Sequence, residues 1–212
     1  MSLPGLYAVL DADVAAAHGW GLVDLAAAVL SGGATLLQVR GKALSSAELL
    51  DVSRRVVALA ASFGAAVVVN DRADVAVLAG AAGVHVGQDD LSPADARAIV
   101  GPRALVGVST HSSDQIAVAA RAPVNYIAVG PVFGTATKDT GYAAVGLGLV
   151  RQAAATALDV VAIGGMTLDR VPQTIAAGAT SLAVISDLLA EGDPATRARA
   201  FVNAAAAAKA AL

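Results

Sequence analysis

The chain reads as a (β/α)8 barrel of the TIM type, with residues 1–212 forming one domain. Three observations predict it. Short runs rich in valine and isoleucine alternate with alanine-rich, helix-forming stretches, the pattern of a parallel sheet buried on both faces. Eight such units fill all 212 residues, near the lower end of the about 200–400 residues such barrels use. Polar residues cluster where the apolar runs end, whereas the helix-to-strand turns are mostly Gly, Ala and Ser, so one rim of the barrel carries the chemistry.

The expected strands are Leu6–Leu10, Thr35–Arg40, Ala65–Asn70, Gly83–Val86, Ala104–Ser109, Val124–Val132, Val160–Ile163 and Ser181–Ile185. Between and after them the composition predicts helices over Leu22–Ser31, Ser45–Phe63, Ala73–Ala79, Pro93–Val100, Ser113–Ala120, Leu147–Ala157, Leu168–Ala177 and Pro194–Ala211. Ser45-Ser-Ala-Glu48 is a capping-box signature, and Ser92-Pro93 pairs an N-cap with proline at the first helical position. Gly32-Gly33, Gly80 and Gly178 stand where helices close.

Composition removes several classes of function. Hydrophobic residues make up 57% of the chain and mean hydropathy is +0.68. The longest apolar runs, Val56–Asn70 and Val171–Ser186, are broken at Gly64 and at Pro172 and Gly178, so neither offers the roughly 18 unbroken residues of a membrane span. The N-terminus has no basic stretch before an apolar one, and no secretory signal is expected; the expectation is a cytoplasmic protein. With no cysteine there is no disulfide framework and no thiolate chemistry. A net charge of −3 without a basic stripe argues against nucleic acid as a partner. Small molecules are the expected partners, and whether the alanine-rich exterior also serves a homo-oligomer stays open at this stage.

The strand exits carry the chemistry. Gln38-Val-Arg40-Gly-Lys42 places an amide and two cations at alternating positions, on one side of an extended strand. Such a row suits a di- or triphosphate together with the edge of a neutral heterocycle; an ion-paired rim is the plainer alternative. Asn70-Asp71 and Gln88-Asp89-Asp90 bring carboxylates to neighbouring exits. With no histidine or cysteine cluster beside them, these oxygen ligands favour Mg²⁺. The plainer reading is that Asp71 pairs with Arg72 or caps the next helix.

Gly107-Val-Ser109-Thr-His111 shows no Ser–His–Asp ordering, and Ser109 is expected to donate to a phosphate. His85, between Val84 and Val86, reads as a satisfied histidine of the barrel interior. The sixth exit runs from Asn125 through Gly134-Thr135-Ala-Thr137-Lys138, where small hydroxyls, backbone N–H groups and one cation can wrap a phosphate. Gly164-Gly165 and Ile185-Ser186, at exits seven and eight, match a phosphate cup at helix N-termini.

Taken in order, Gln-x-Arg-x-Lys, Asn-Asp-Arg, Gly-Val-His-x-Gly-Gln-x-Asp, Gly-Val-Ser-x-His, Gly-Pro-Val-Phe-x-Thr-x-Thr-Lys, Ile-Gly-Gly and Val-Ile-Ser resemble the thiamine-phosphate synthase family over Leu6 to Leu188. That family is a group of transferases of thiamine biosynthesis. They join an aminopyrimidine methyl diphosphate to a thiazole phosphate, giving thiamine phosphate and pyrophosphate. The resemblance implies that Gln38, Arg40, Lys42, Asn70, Ser109 and Lys138 hold the pyrimidine diphosphate, with Arg40, Lys42, Ser109 and Lys138 acting in catalysis. It implies Mg²⁺ on Asp71 and Asp90, with Asp89 the weaker candidate. It gives the thiazole phosphate to Thr135 and Thr137, with Gly165, Ile185 and Ser186 completing the cup. It also implies a dissociative course, in which pyrophosphate departs before the thiazole nitrogen attacks.

The chain departs from the family's commoner form at Gly41, where an acidic residue is usual, and at Gly134, where proline is frequent. The loop from Gly134 to Gly141 has the composition of a lid that closes on the phosphates. Two rivals share the fold: a thiazole tautomerase, and a non-catalytic phosphate-binding barrel. Neither has a use for Arg40, Lys42, Asp71, Asp90 and Lys138 together.

Overall fold

The architecture was analysed in a computed structural model that describes residues 3–134, 142–190 and 192–212. Eight parallel strands close on themselves in sequence order: β1 (Leu6–Asp11), β2 (Leu36–Arg40), β3 (Ala66–Asn70), β4 (Gly83–Val86), β5 (Leu105–Thr110), β6 (Tyr126–Val129), β7 (Asp159–Ile163) and β8 (Ser181–Val184). The register runs Ala8 beside Leu37, Val69 beside Val84, Val108 beside Ile127, and Ala8 again beside Val184, which closes the ring. This is the (β/α)8 barrel that the alternation of the sequence predicts.

Strand periodicity sorts side chains into two cores. Leu6, Ala8 and Leu10 join the outer core between sheet and helices, whereas Tyr7, Val9, Leu36, Val68, Tyr126, Val161 and Ala183 fill the barrel interior. The helices α1 (Ala12–Ala17), α2 (Leu22–Ser31), α3 (Ser46–Ala61), α4 (Ala73–Ala79), α5 (Pro93–Val100), α6 (Ser113–Ala119), α7 (Gly146–Ala154), α8 (Val171–Ala176) and α9 (Pro194–Ala210) cover the sheet. The terminal helix α9 packs against α2 and α8. No helix among the described residues is long and apolar enough to cross a membrane.

Local chemistry explains the starts. Ser45 and Glu48 form the capping box of α3, with both reciprocal bonds present. Ser92 caps α5 ahead of Pro93, and Asp193 caps α9 ahead of Pro194.

Three spans differ from the sequence expectation. The apolar run Val124–Val132 pairs as a regular strand only over Tyr126–Val129. Pro131 has no N–H to give the ladder, and pairing resumes irregularly through Val132 N–H to the Ile163 carbonyl at 2.8 Å. The short helix α1, directly after β1, is additional to the expected set. The eighth helical segment opens as a 3-10 turn, Leu168–Arg170, before α8.

Candidate active site

The C-terminal ends of the strands hold most of the expected residues. Gln38, Arg40, Asn70, His85, Ser109, Ile163 and Ile185 line one pit that descends from this rim into the barrel, with Tyr7 on its wall. β2 turns Gln38 and Arg40 inward as period two requires.

Arg40 is held from a direction the expected set omits. Its Nη1 donates to Asp11 Oδ2 at the end of β1, and Asp11 is buried at 5% exposure. The other oxygen of Asp11 accepts from the N–H groups of Asp13 and Val14, both at 3.1 Å, so one carboxylate caps α1 and anchors Arg40. A guanidinium has five N–H donors, so the remaining ones stay available to a bound anion.

The next cluster is Lys42, Asp71 and Asp90. Lys42 Nζ lies 2.7 Å from Asp71 Oδ2, and the Asp71 and Asp90 carboxyls are close enough to shift each other's protonation. Asp90 also accepts from the Gly87 N–H at 2.8 Å. Burial pushes the Asp71 carboxyl up, against the pull of Lys42. For Asp90 the opposing burial is outweighed by the bonds from Asp71 and Gly87, which hold it down. Of the two neighbouring carboxyls, Asp71 is therefore the more readily protonated. Asp71 does not pair with Arg72, which turns away to clasp Asp74 at 2.6 and 2.9 Å.

Asp71 is also the one non-glycine residue with positive φ among the described residues, at 61°. The Arg72 N–H returns to the Asn70 carbonyl at 2.7 Å, closing a γ-turn around Asp71. This strained turn aims the carboxylate at the rim.

Beneath the rim, Gln38 Nε2 donates to Tyr7 Oη at 2.8 Å, and Tyr7 and Tyr126 hydroxyls meet at 3.0 Å. His85 Nδ1 meets Tyr126 Oη at 3.1 Å, and His85 Nε2 meets Ser109 Oγ at 2.9 Å. His85 is thus a satisfied interior histidine, buried at 7% exposure. Gln88 reaches the Ser109 carbonyl at 2.5 Å. Gly107 is required here: a Cβ on it would stand 2.0 Å from the Tyr126 ring.

At the far side of the rim, Gly164 and Gly165 adopt φ of 97° and 61°, and a Cβ on Gly165 would meet the Gly134 carbonyl at 2.6 Å. Arg170 braces this loop by donating to the Gly165 carbonyl at 2.5 Å and lying 4.5 Å over the Phe133 ring. Ile185 and Ser186 enter a 3-10 turn, Ser186–Leu188, on the neighbouring exit. His111 Nδ1 donates to the Gly130 carbonyl at 2.5 Å, and its ring stacks on Tyr142 at 4.0 Å. Thr135, Thr137 and Lys138, and with them the expected lid, lie outside the described residues.

Cations, paired carboxylates, an amide and a glycine cup thus share one rim. A sequence model of the family described as thiamine monophosphate synthase matches residues 6–188. The chain belongs to this family. A thiamine-phosphate synthase of Koribacter versatilis is 44% identical over 206 residues, covering 96% of each chain. One from Methanoculleus marisnigri is 41% identical over 206 residues, covering 97% of each. Among solved structures, a thiamine phosphate pyrophosphorylase from Pyrococcus furiosus superposes with a TM-score of 0.87 at 26% identity, covering 96% of each chain.

For a thiamine monophosphate synthase family member, the residues fit a hard dication. Among the described residues no group of three or more His, Asp or Glu converges, but Mg²⁺ uses one or two carboxylates and fills its octahedron with phosphate oxygens and water. Asp71 and Asp90 bring two interacting carboxyls to the place where such an ion would be held. Asp89 is exposed beside them. The family resemblance names Gln38, Arg40 and Ser109, whereas Asp11, Tyr7, Tyr126 and Gln88, which hold those three in place, are supplied by the structure.

Proposed function

We propose that the chain is a thiamine-phosphate synthase, a transferase that condenses 4-amino-2-methyl-5-(diphosphooxymethyl)pyrimidine with 4-methyl-5-(2-phosphooxyethyl)thiazole and releases pyrophosphate. The observation that carries this reading is the cluster at exits one to four, where Arg40 is anchored by Asp11 and Lys42 stands on the Asp71–Asp90 pair. A barrel that only bound a thiazole phosphate, or tautomerised it, has no work for this cluster.

In the reaction the methyl carbon–oxygen bond breaks with its electron pair leaving on pyrophosphate. The thiazole nitrogen lone pair then forms the new carbon–nitrogen bond. No protein nucleophile and no strong base are needed. Arg40, Lys42 and Lys138 are assigned to the charge that gathers on the departing pyrophosphate, and Ser109 donates a hydrogen bond to it. Asp71 and Asp90 are assigned as the protein ligands of Mg²⁺, which when bound neutralises diphosphate charge. Gln38 and Asn70 orient the pyrimidine end. Thr135, Thr137, Gly165, Ile185 and Ser186 are assigned to the thiazole phosphate, so that the two substrates face each other and capture outruns water.

The test is to incubate the protein with both phosphorylated substrates and Mg²⁺ and to quantify thiamine phosphate. Its formation supports the reading. Conversion of a thiazole phosphate tautomer in the absence of any pyrimidine, with no thiamine phosphate formed, supports the tautomerase instead.

A further inference from the structure

The floor of the site is one continuous hydrogen-bonded chain from Gln38 to Ser109, passing through Tyr7, Tyr126 and His85 at 2.8, 3.0, 3.1 and 2.9 Å. Tyr7 and Tyr126 are buried at 1% and 0% exposure. Burial pushes both phenols up, so each stays neutral and carries one proton. A neutral imidazole likewise carries one N–H, on one nitrogen or the other. With one proton per link, the chain has two self-consistent senses. Either every member donates toward Ser109 or every member donates toward Gln38. A single reversed link would set two hydrogens or two lone pairs face to face in a dry core, at the cost of an unsatisfied buried group.

We propose that the chain is set in the Gln38-to-Ser109 sense, and that Tyr7, Tyr126 and His85 are positioning residues. They make Ser109 a donor and the Gln38 amide oxygen an acceptor toward the pyrimidine diphosphate. The Gln38 amide nitrogen faces Tyr7, which leaves Oε1 for a ligand N–H. Tyr7 then donates to Tyr126, Tyr126 to His85 Nδ1, and His85 Nε2–H to Ser109 Oγ. The Ser109 proton, displaced from His85, points at the diphosphate. An aminopyrimidine offers N–H at one end and diphosphate oxygens at the other, and this sense matches both. The opposite sense would turn the Gln38 NH₂ on the exocyclic amine and the Ser109 lone pairs on phosphate oxygens. Gly107 is part of the device, because only a residue without Cβ admits the Tyr126 ring, which stacks on His85 at 5.6 Å and 19°.

The ligand in this inference rests on the synthase reading; the sense of the chain does not. The test reads the sense directly. In ¹⁵N-labelled, ligand-free protein, two-bond ¹H–¹⁵N correlations identify the protonated nitrogen of each imidazole. The chain has three histidines, and His18→Gln and His111→Gln spectra leave His85 assigned. Neutral His85 with its proton on Nε2 is expected; a proton on Nδ1, or on both nitrogens, overturns the proposal.

A kinetic arm tests the positioning role. Tyr126→Phe removes the hydroxyl that joins the two halves. It should raise KM for the pyrimidine diphosphate about tenfold, the worth of one hydrogen bond, with KM for the thiazole phosphate unchanged. An equal rise in both KM values, or in neither, overturns it. An Nε2-protonated but inactive protein would remove the functional reading and leave the chain's sense standing, whereas an active synthase with Nδ1–H would remove the inference alone.

Discussion

Asp11 and Arg40 form an ion pair across the first two strand exits, and the same Asp11 carboxylate caps α1. Asparagine caps a helix as well as aspartate does but cannot match the guanidinium charge. Asp11→Asn should therefore raise KM for the pyrimidine diphosphate about tenfold, by loosening Arg40 through loss of a charge-assisted hydrogen bond. Asp11→Ala should show the same kinetic defect and lose about 1 kcal/mol more stability, because the cap goes too. Urea unfolding beside steady-state kinetics separates the two effects. Equal stability of the Asn and Ala variants would disprove the dual role.

Asp71 stands in a γ-turn at φ 61° and so carries strain that glycine would not. Asp71→Gly and Asp71→Ala should both lack Mg²⁺-dependent activity. The Gly variant should nevertheless be more stable than the Ala variant by about 1–2 kcal/mol, the cost of a Cβ in the left-handed region. Thermal unfolding of the pair checks this; an Ala variant at least as stable as the Gly variant would mean the turn is unstrained.

The two residues assigned to opposite ends of the reaction differ in when they matter. Lys138→Ala should depress turnover far more than thiazole phosphate affinity, because its charge counts most as pyrophosphate leaves. Thr135→Ala should weaken thiazole phosphate binding first. The same defect pattern in both variants would refute that division.

Away from the site, the Ser45 hydroxyl and backbone N–H hold the Glu48 carboxyl below its usual value. A folded-state pKa below the unfolded one contributes stability that is present above the unfolded pKa and lost as pH falls through the folded one. Glu48→Gln should therefore lower stability at neutral pH and lessen the further loss of stability on acidification below about pH 4.3. Urea midpoints of both proteins between neutral and acid pH test it, and identical acid profiles would exclude a contribution from this cap.

What was legible in the sequence follows from periodicity. Inward-facing Gln38 and Arg40 stand out because polar residues interrupt an apolar strand at its exit. Asp71 and Asp90 stand out for the same reason. Asp11 obeys the same rule at the exit of β1, yet the brief helix after it makes Asp11-Ala-Asp13 look like loop. Tyr7 and Tyr126 were hidden more deeply. In strands buried on both faces, alternation does not separate barrel interior from helix-facing core, so an interior tyrosine reads as one more apolar residue. Their signal in the sequence is Gly107, a glycine within an apolar strand, which marks the close approach of something large. The end of β6 was overestimated because hydrophobicity continues to Val132 while proline withdraws from the ladder.

In the proposed function the rim joins two phosphorylated substrates with the help of a metal on Asp71 and Asp90. The most direct measurement follows thiamine phosphate and pyrophosphate together, in chelator-treated protein before and after Mg²⁺ is restored, for wild type, Asp71→Asn, Asp90→Asn and Asp89→Asn. The two products are expected in equal amounts, only after Mg²⁺ returns, with activity nearly abolished in the Asp71 and Asp90 variants and much less affected in Asp89→Asn. Thiamine phosphate formed without Mg²⁺, or a wild-type Mg²⁺ response in either the Asp71 or the Asp90 variant, would contradict it.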